Sequence, residues 1–211
     1  TQNQAFSALL FLYRRLLDQD LPWLDELVRA KRPRRLPVVL TPAEVRAVLQ
    51  QLADLPRLVA TLLYGSGLRL LEGLHLRIKD LDFPSHTISV RAGKGNKDRV
   101  TVLPKALVAP LMDHLEAVKD QHQADLLRGA GWVELPNSLA RKYANAGRDW
   151  RWQWVFPATR TYRHAETGQR RRHHLHESVI QRAMTTAVRC SGITKRASCH
   201  TLRHSFATHL L

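Results

Sequence analysis

Cysteine is nearly absent: only Cys190 and Cys199 occur in 211 residues. They are too few, and too near an expected helix end, for a disulfide framework, so a reducing cytoplasm is the expected setting. Long apolar runs are missing too. None approaches the roughly 18 residues of a membrane span, and no signal-like order of charged, apolar and small residues opens the sequence. Acidic residues are scarce, 18 against 33 Lys and Arg, which leaves a formal charge of +15. That excess calls for a polyanionic partner and favours nucleic acid. It is spread over several segments rather than gathered on one amphipathic helix beside apolar anchors, which argues against a membrane surface. No P-loop or dinucleotide fingerprint is present, nor any internal repeat or low-complexity tract.

What remains is ample for a core, since 44% of the residues are apolar. Phe6, Leu9, Leu10, Tyr13, Leu16 and Leu17 recur at helical spacing, which predicts an amphipathic helix over about residues 4–17. Residues 1–30 read as the end of an N-terminal helical domain. Arg29, Lys31, Arg32, Arg34 and Arg35 then crowd around Pro33 without periodicity. Residues 31–40 therefore read as a basic linker whose arginines track a phosphate backbone, with a solvated loop as the competing reading.

A second domain opens at Thr41-Pro42-Ala43-Glu44, a capping-box signature. Helices are expected over Pro56–Tyr64, Leu68–Arg77, a long stretch from Leu107 to Leu126, Glu177–Cys190, and from His200 onward. Ile88 and Val90, answered by Val100 and Val102 across a Gly-rich turn, predict a hairpin. Trp152 to Phe156 alternates like a short strand that Pro157 would end. The expected fold is mainly α with a small antiparallel β-sheet.

Several stretches carry chemistry. Arg69 and Glu72 lie one turn apart at a helix start, where an ordinary ion pair is the plain explanation. Residues 93–99, with Lys94, Lys97 and Arg99, form a basic hairpin tip. His200 and Arg203 share one helical face, where an imidazole and a guanidinium reach the same anion. In combination and in this order, the three stretches resemble the tyrosine recombinases, or phage-type integrases. The run from Leu139 to Pro157, rich in Trp and Arg, is similar to the insertion peculiar to integron integrases, here about residues 132–175.

The resemblance covers almost the whole chain and makes residues 41–211 a partial catalytic domain. It implies that Arg69 and Arg203 clamp the scissile phosphodiester and that Lys94 matches the general acid for the leaving 5′ oxygen, with Lys97 as the fallback. His200 matches the histidine that hydrogen-bonds the phosphate or helps activate the nucleophile, and Glu72 positions rather than reacts. Arginine suits the clamp physically: its planar fork meets two non-bridging oxygens and stays charged while negative charge develops. In the family a tyrosine attacks the phosphorus and forms a 3′-phosphotyrosyl linkage, so bond energy is conserved and no metal or nucleotide cofactor is implied. The implied partners are DNA attachment sites, including a folded single-stranded hairpin, and other copies of the protein on DNA, in a bacterial cytoplasm.

The family's nucleophilic tyrosine follows the His-x-x-Arg box. Tyr13, Tyr64, Tyr143 and Tyr162 all precede it. The sequence also begins at Thr1 within a helix-like pattern and stops at Leu211, so it reads as truncated at both ends, able to grip a phosphodiester without attacking it. Within the insertion, Trp150, Arg171, Arg172, His173 and His174 are the expected DNA contacts, whereas Trp152 and Trp154 read as core. Two rival classes remain: a zinc enzyme built on His200 and His204, weak because residue 201 is Thr, and an inert basic fragment that binds DNA by charge without recognising its structure.

Overall fold

The computed structural model describes residues 2–19, 36–91, 97–136 and 139–210, in two units, Thr1–Leu36 and Pro37–Leu211. In the first, the apolar spacing produces α1 (Gln2–Phe11), which widens into a π-helical turn over Leu12–Leu16. The predicted helix thus changes pitch before its end: the Leu17 N–H reaches back five residues to the Leu12 carbonyl at 3.0 Å. Leu9, Phe11, Leu12 and Leu16 stay exposed. The linker arginines Arg32, Arg34 and Arg35 lie outside the described residues.

In the second unit, local signals set the helix starts. Thr41 caps α2 (Pro42–Gln50): the Glu44 N–H donates to Thr41 Oγ1 at 3.2 Å while the Thr41 N–H donates to Glu44 Oε2 at 2.7 Å. α3 (Asp54–Ser66) ends at Gly67, whose φ of +60° is left-handed and whose missing Cβ makes room for the Phe206 ring. α4 (Leu70–Leu74) is shorter than its apolar spacing predicts. The chain leaves the helix because the Asp80 carboxylate takes the Arg77 N–H at 3.0 Å and caps a separate 3-10 turn, Ile78–Asp80.

β1 (Leu81–Asp82), β2 (Thr87–Val90) and β3 (Arg99–Val102) form an antiparallel sheet in that order. Val90 pairs with Arg99 and Thr87 with Val102, so Arg99 stands at the base of the basic hairpin. α5 (Val108–Leu127) buries Leu111, Leu115 and Val118. After a short α6 (Leu139–Lys142), β4 (Pro157–Arg163) pairs antiparallel with β5 (Arg170–His174). α7 (Glu177–Cys190) and α8 (Cys199–His209) complete a mainly helical fold with small antiparallel sheets. One core joins these elements, with Leu62, Leu63, Leu74, Ile88, Phe156, Ile180 and Leu202 among its buried side chains.

The strand expected at Trp152–Phe156 does not form. Trp150–Trp152 is a 3-10 turn, Trp154 makes a single bridge to Arg77, and Pro157 begins a strand instead of ending one. Residues 153–156 are all buried, so their apolar pattern reflects enclosure on both sides. Proline is tolerated at the first residue of a strand, where no N–H is required. No helix among the described residues is long and apolar enough to cross a membrane.

Candidate active site

Glu72 is the third residue of α4, and its carboxylate turns back onto the start of its own helix. There it accepts the Arg69 backbone N–H at 2.8 Å and Arg69 Nη1 at 2.7 Å. Arg99, arriving on β3, forks onto both oxygens, with Nη1 at 3.0 Å and Nη2 at 2.7 Å. Arg203, from α8, lies farther off, its Nη1 3.4 Å from Oε2, and donates also to the Gly67 carbonyl. Burial alone would raise the Glu72 pKa; the hydrogen bonds from Arg99 and Arg69 outweigh it and hold the carboxyl down at about 2. Three cations on one anion leave two positive charges over. They sit on side chains only partly covered, 36%, 33% and 27% exposed for Arg69, Arg99 and Arg203.

α8 aims the remaining groups. Buried Leu202 and Ser205 anchor its inner face, and Ser205 Oγ also accepts the Leu40 N–H at 2.9 Å, fastening the segment that enters this unit to the helix. His200 is exposed and lies edge-on to His204, ring centroids 4.4 Å apart. Its pKa is lowered by burial of part of its ring and by the neighbouring His204, Arg203 and Arg69. The imidazole therefore favours its neutral form, which both donates and accepts a hydrogen bond. Beside it a cavity of about 260 Å³ is lined by Leu70, Met184, Ser198 and Cys199. Burial pushes the Cys199 thiol up to about 11, so it is no nucleophile at neutral pH.

Of the expected site residues, the structure gathers Arg69 and Arg203 around the Glu72 carboxylate, with His200 on the same helix as Arg203. Lys94 lies outside the described residues, and Lys97 is exposed. Arg99 was visible in the sequence only as part of a basic turn. Its place at the first residue of a strand that pairs back beside α4 was the missing signal.

The insertion differs from expectation in what it exposes. Arg172, an expected DNA contact, is buried: it is 8% exposed and forks onto Asp125 of α5 at 2.8 Å from each oxygen, while Nη1 donates to the carbonyls of Ala158 and Thr159. His174 is also 8% exposed. Its Nδ1–H donates to the Leu175 carbonyl at 2.7 Å, and its Nε2 meets His75 Nε2 at 2.9 Å. Burial lowers its pKa to about 4, so it stays neutral and His75 is the donor. Both residues sit on a strand whose inward positions are buried, and a run of five basic residues hides that alternation. Arg171 is partly exposed and His173 exposed. Trp150 lies 5.9 Å from the His122 ring. Trp154 is core, and Trp152 is half-buried beneath Lys79 Nζ, 3.1 Å from its centroid. An open groove of about 680 Å³ beside it is lined by Tyr143, Asn145, Arg148, Asp149, Arg151 and Trp152. Among the described residues no group of three His, Cys, Asp or Glu is placed to hold a metal ion.

The chain matches the phage integrase family over residues 38–211. It is 50% identical over 211 residues to an integrase/recombinase of Escherichia coli, an alignment covering 100% of this chain and 63% of that one. The chain thus spans less than two thirds of that relative. Among solved structures, XerA recombinase superposes with a TM-score of 0.53 at 26% identity, over 99% of this chain and 61% of that chain. A lambda integrase tetramer bound to a Holliday junction gives 0.59 at 14% identity, over 96% of this chain and 52% of that chain, a likeness of fold. A match running the length of the larger unit, from its entry segment to the His200 helix, makes the chain a member of the phage integrase, or tyrosine recombinase, family.

Proposed function

We propose that this chain supplies the phosphodiester-gripping part of an integron-type recombinase, which exchanges DNA strands through a 3′-phosphotyrosyl intermediate. The observation that carries the reading is the cluster around Glu72. Two surplus positive charges on open guanidiniums complement a phosphodiester, which has one negative charge and gains a second as the phosphorus becomes five-coordinate. His200 stands beside them, neutral and able to hydrogen-bond an oxygen. The attacking tyrosine is assigned to the whole protein, since the chain spans less than two thirds of its Escherichia coli relative; Tyr64 OH is held 2.8 Å from His209 Nδ1.

The preferred substrate is a folded single strand with protruding bases. Support comes from the groove between Tyr143 and Trp152, where an aromatic face, two arginines, an amide and a carboxylate offer stacking, phosphate contact and hydrogen bonding together. Binding of this chain to a hairpin with protruding bases and to the matching duplex, compared at fixed salt, tests the reading. The hairpin is expected to bind more tightly, with the preference falling in Tyr143→Ala. Equal binding of both DNAs would leave charge-driven attachment as the better account. Assembly on DNA is assigned to the whole protein as an expectation of the family.

A further inference from the structure

We infer that Arg99 is a positioning residue for the phosphate grip: standing at the base of the basic hairpin, it saturates Glu72 with a two-pronged contact and so leaves Arg69 and Arg203 turned toward the ligand. The inference rests on the phosphodiester reading of this site.

A carboxylate presents about four lone-pair directions. Four short contacts fill them here: the Arg69 backbone N–H and Nη1, and the two Arg99 nitrogens, all between 2.7 and 3.0 Å. Arg203 is left with a 3.4 Å approach to Oε2, and its shorter bond goes to the Gly67 carbonyl. Without the Arg99 fork, two directions on a carboxylate only 9% exposed would be open. The nearest donors able to close on them are the guanidiniums of Arg69 and Arg203. Each would then be drawn onto Glu72 in a fork of its own, since paired N–H contacts to a carboxylate are the preferred arginine geometry. Both would be withdrawn from a phosphate.

The strand register explains why Arg99 serves. Arg99 pairs with Val90 at the last rung of β2 and β3, so its backbone is fixed by the ladder while its side chain crosses to α4. On the opposite side of the hairpin base, Arg91 Nε bonds the buried Asp80 at 2.8 Å. Arg99 at the start of β3 and Arg91 just past the end of β2 thus tie the hairpin base to two carboxylates of residues 69–80. Lysine at 99 would keep the charge and lose the fork, and that difference separates positioning from simple attraction of an anion.

The test uses the whole 211-residue chain with its arginine Nε labelled with nitrogen-15, titrated with inorganic phosphate at constant ionic strength. In the unaltered chain the Arg69 and Arg203 Nε–H signals are expected to shift along one saturating curve. Arg99→Gln and Arg99→Lys should both weaken that binding about tenfold, with thermal unfolding midpoints close to the parent's. Parent-like affinity in Arg99→Lys would show that charge alone matters and would overturn the inference, as would parent-like affinity in Arg99→Gln. If the unaltered chain shows no phosphate response at Arg69 and Arg203, the phosphodiester reading fails and takes this inference with it. If it responds and both variants match it, only the inference about Arg99 falls.

Discussion

Two arginine–carboxylate clusters in the larger unit use the same chemistry to opposite ends. At Glu72 three guanidiniums share one carboxylate, stay roughly a third exposed, and keep a surplus of charge. At Asp125 a single guanidinium, Arg172, meets a single carboxylate, both 9% exposed, and its remaining donor is taken by the Ala158 and Thr159 carbonyls. The first cluster is unbalanced and open to an anion. The second is balanced and closed, and it holds β4 and β5 against α5. Exposure together with the count of acceptors per guanidinium tells an available arginine from a structural one.

The largest effect that would break this contrast is expected at the closed cluster. Asp125→Ala strands a buried guanidinium, and urea unfolding should show a loss of about 3–5 kcal/mol. Replacing both partners with apolar residues of similar volume, Asp125→Leu with Arg172→Met, should recover most of it, because the cost lies in the unpaired charge. DNA affinity of the folded double variant should match the parent. A clear loss of affinity there would return Arg172 to the DNA-contacting residues.

Next in size is the open cluster. Arg203→Gln should weaken duplex binding by about tenfold at fixed salt, the scale of a charge-assisted contact, while unfolding stability changes little. A large stability loss with unchanged affinity would make Glu72 a structural centre like Asp125 and erase the distinction.

The smallest effect concerns pH. His174 has a folded pKa near 4 against an ordinary 6.5, and burial lowers those of His75, His114 and His122 as well. Between pH 6.5 and 4 the unfolded chain therefore binds more protons than the folded one, so stability is full above 6.5 and declines as pH falls toward 4. Glu72 acts in a lower window: its folded value of about 2 lies below the ordinary 4.5, so its contribution holds above 4.5 and is lost as pH falls toward 2. Urea midpoints at pH 7.5 and 5.0 should show the histidine-dependent decline, and His174→Asn should flatten part of it. An unchanged slope in that variant would put the decline on the other histidines.

Much of the fold was legible because the signals were local. The Thr41 box, the Gly67 stop, the β2–β3 hairpin and α7 each follow from residues within a few positions of one another. The candidate set Arg69, His200 and Arg203 was read from motif order. The insertion was not. Its basic run Arg170–His174 looks uniformly solvent-facing, and only the pairing of β5 against β4 and α5 decides that Arg172 and His174 turn inward.

By itself, then, the sequence determined the class of the protein: a basic, mainly helical chain carrying the ordered Arg69 and His200–Arg203 motifs of the phage integrase family. Those properties depend on composition, short-range periodicity and residue order. Tertiary structure decided which positive charges are available. Availability depends on which carboxylates and carbonyls lie within hydrogen-bonding reach, and those partners come from residues far away in the chain, Glu72 for Arg99 and Asp125 for Arg172.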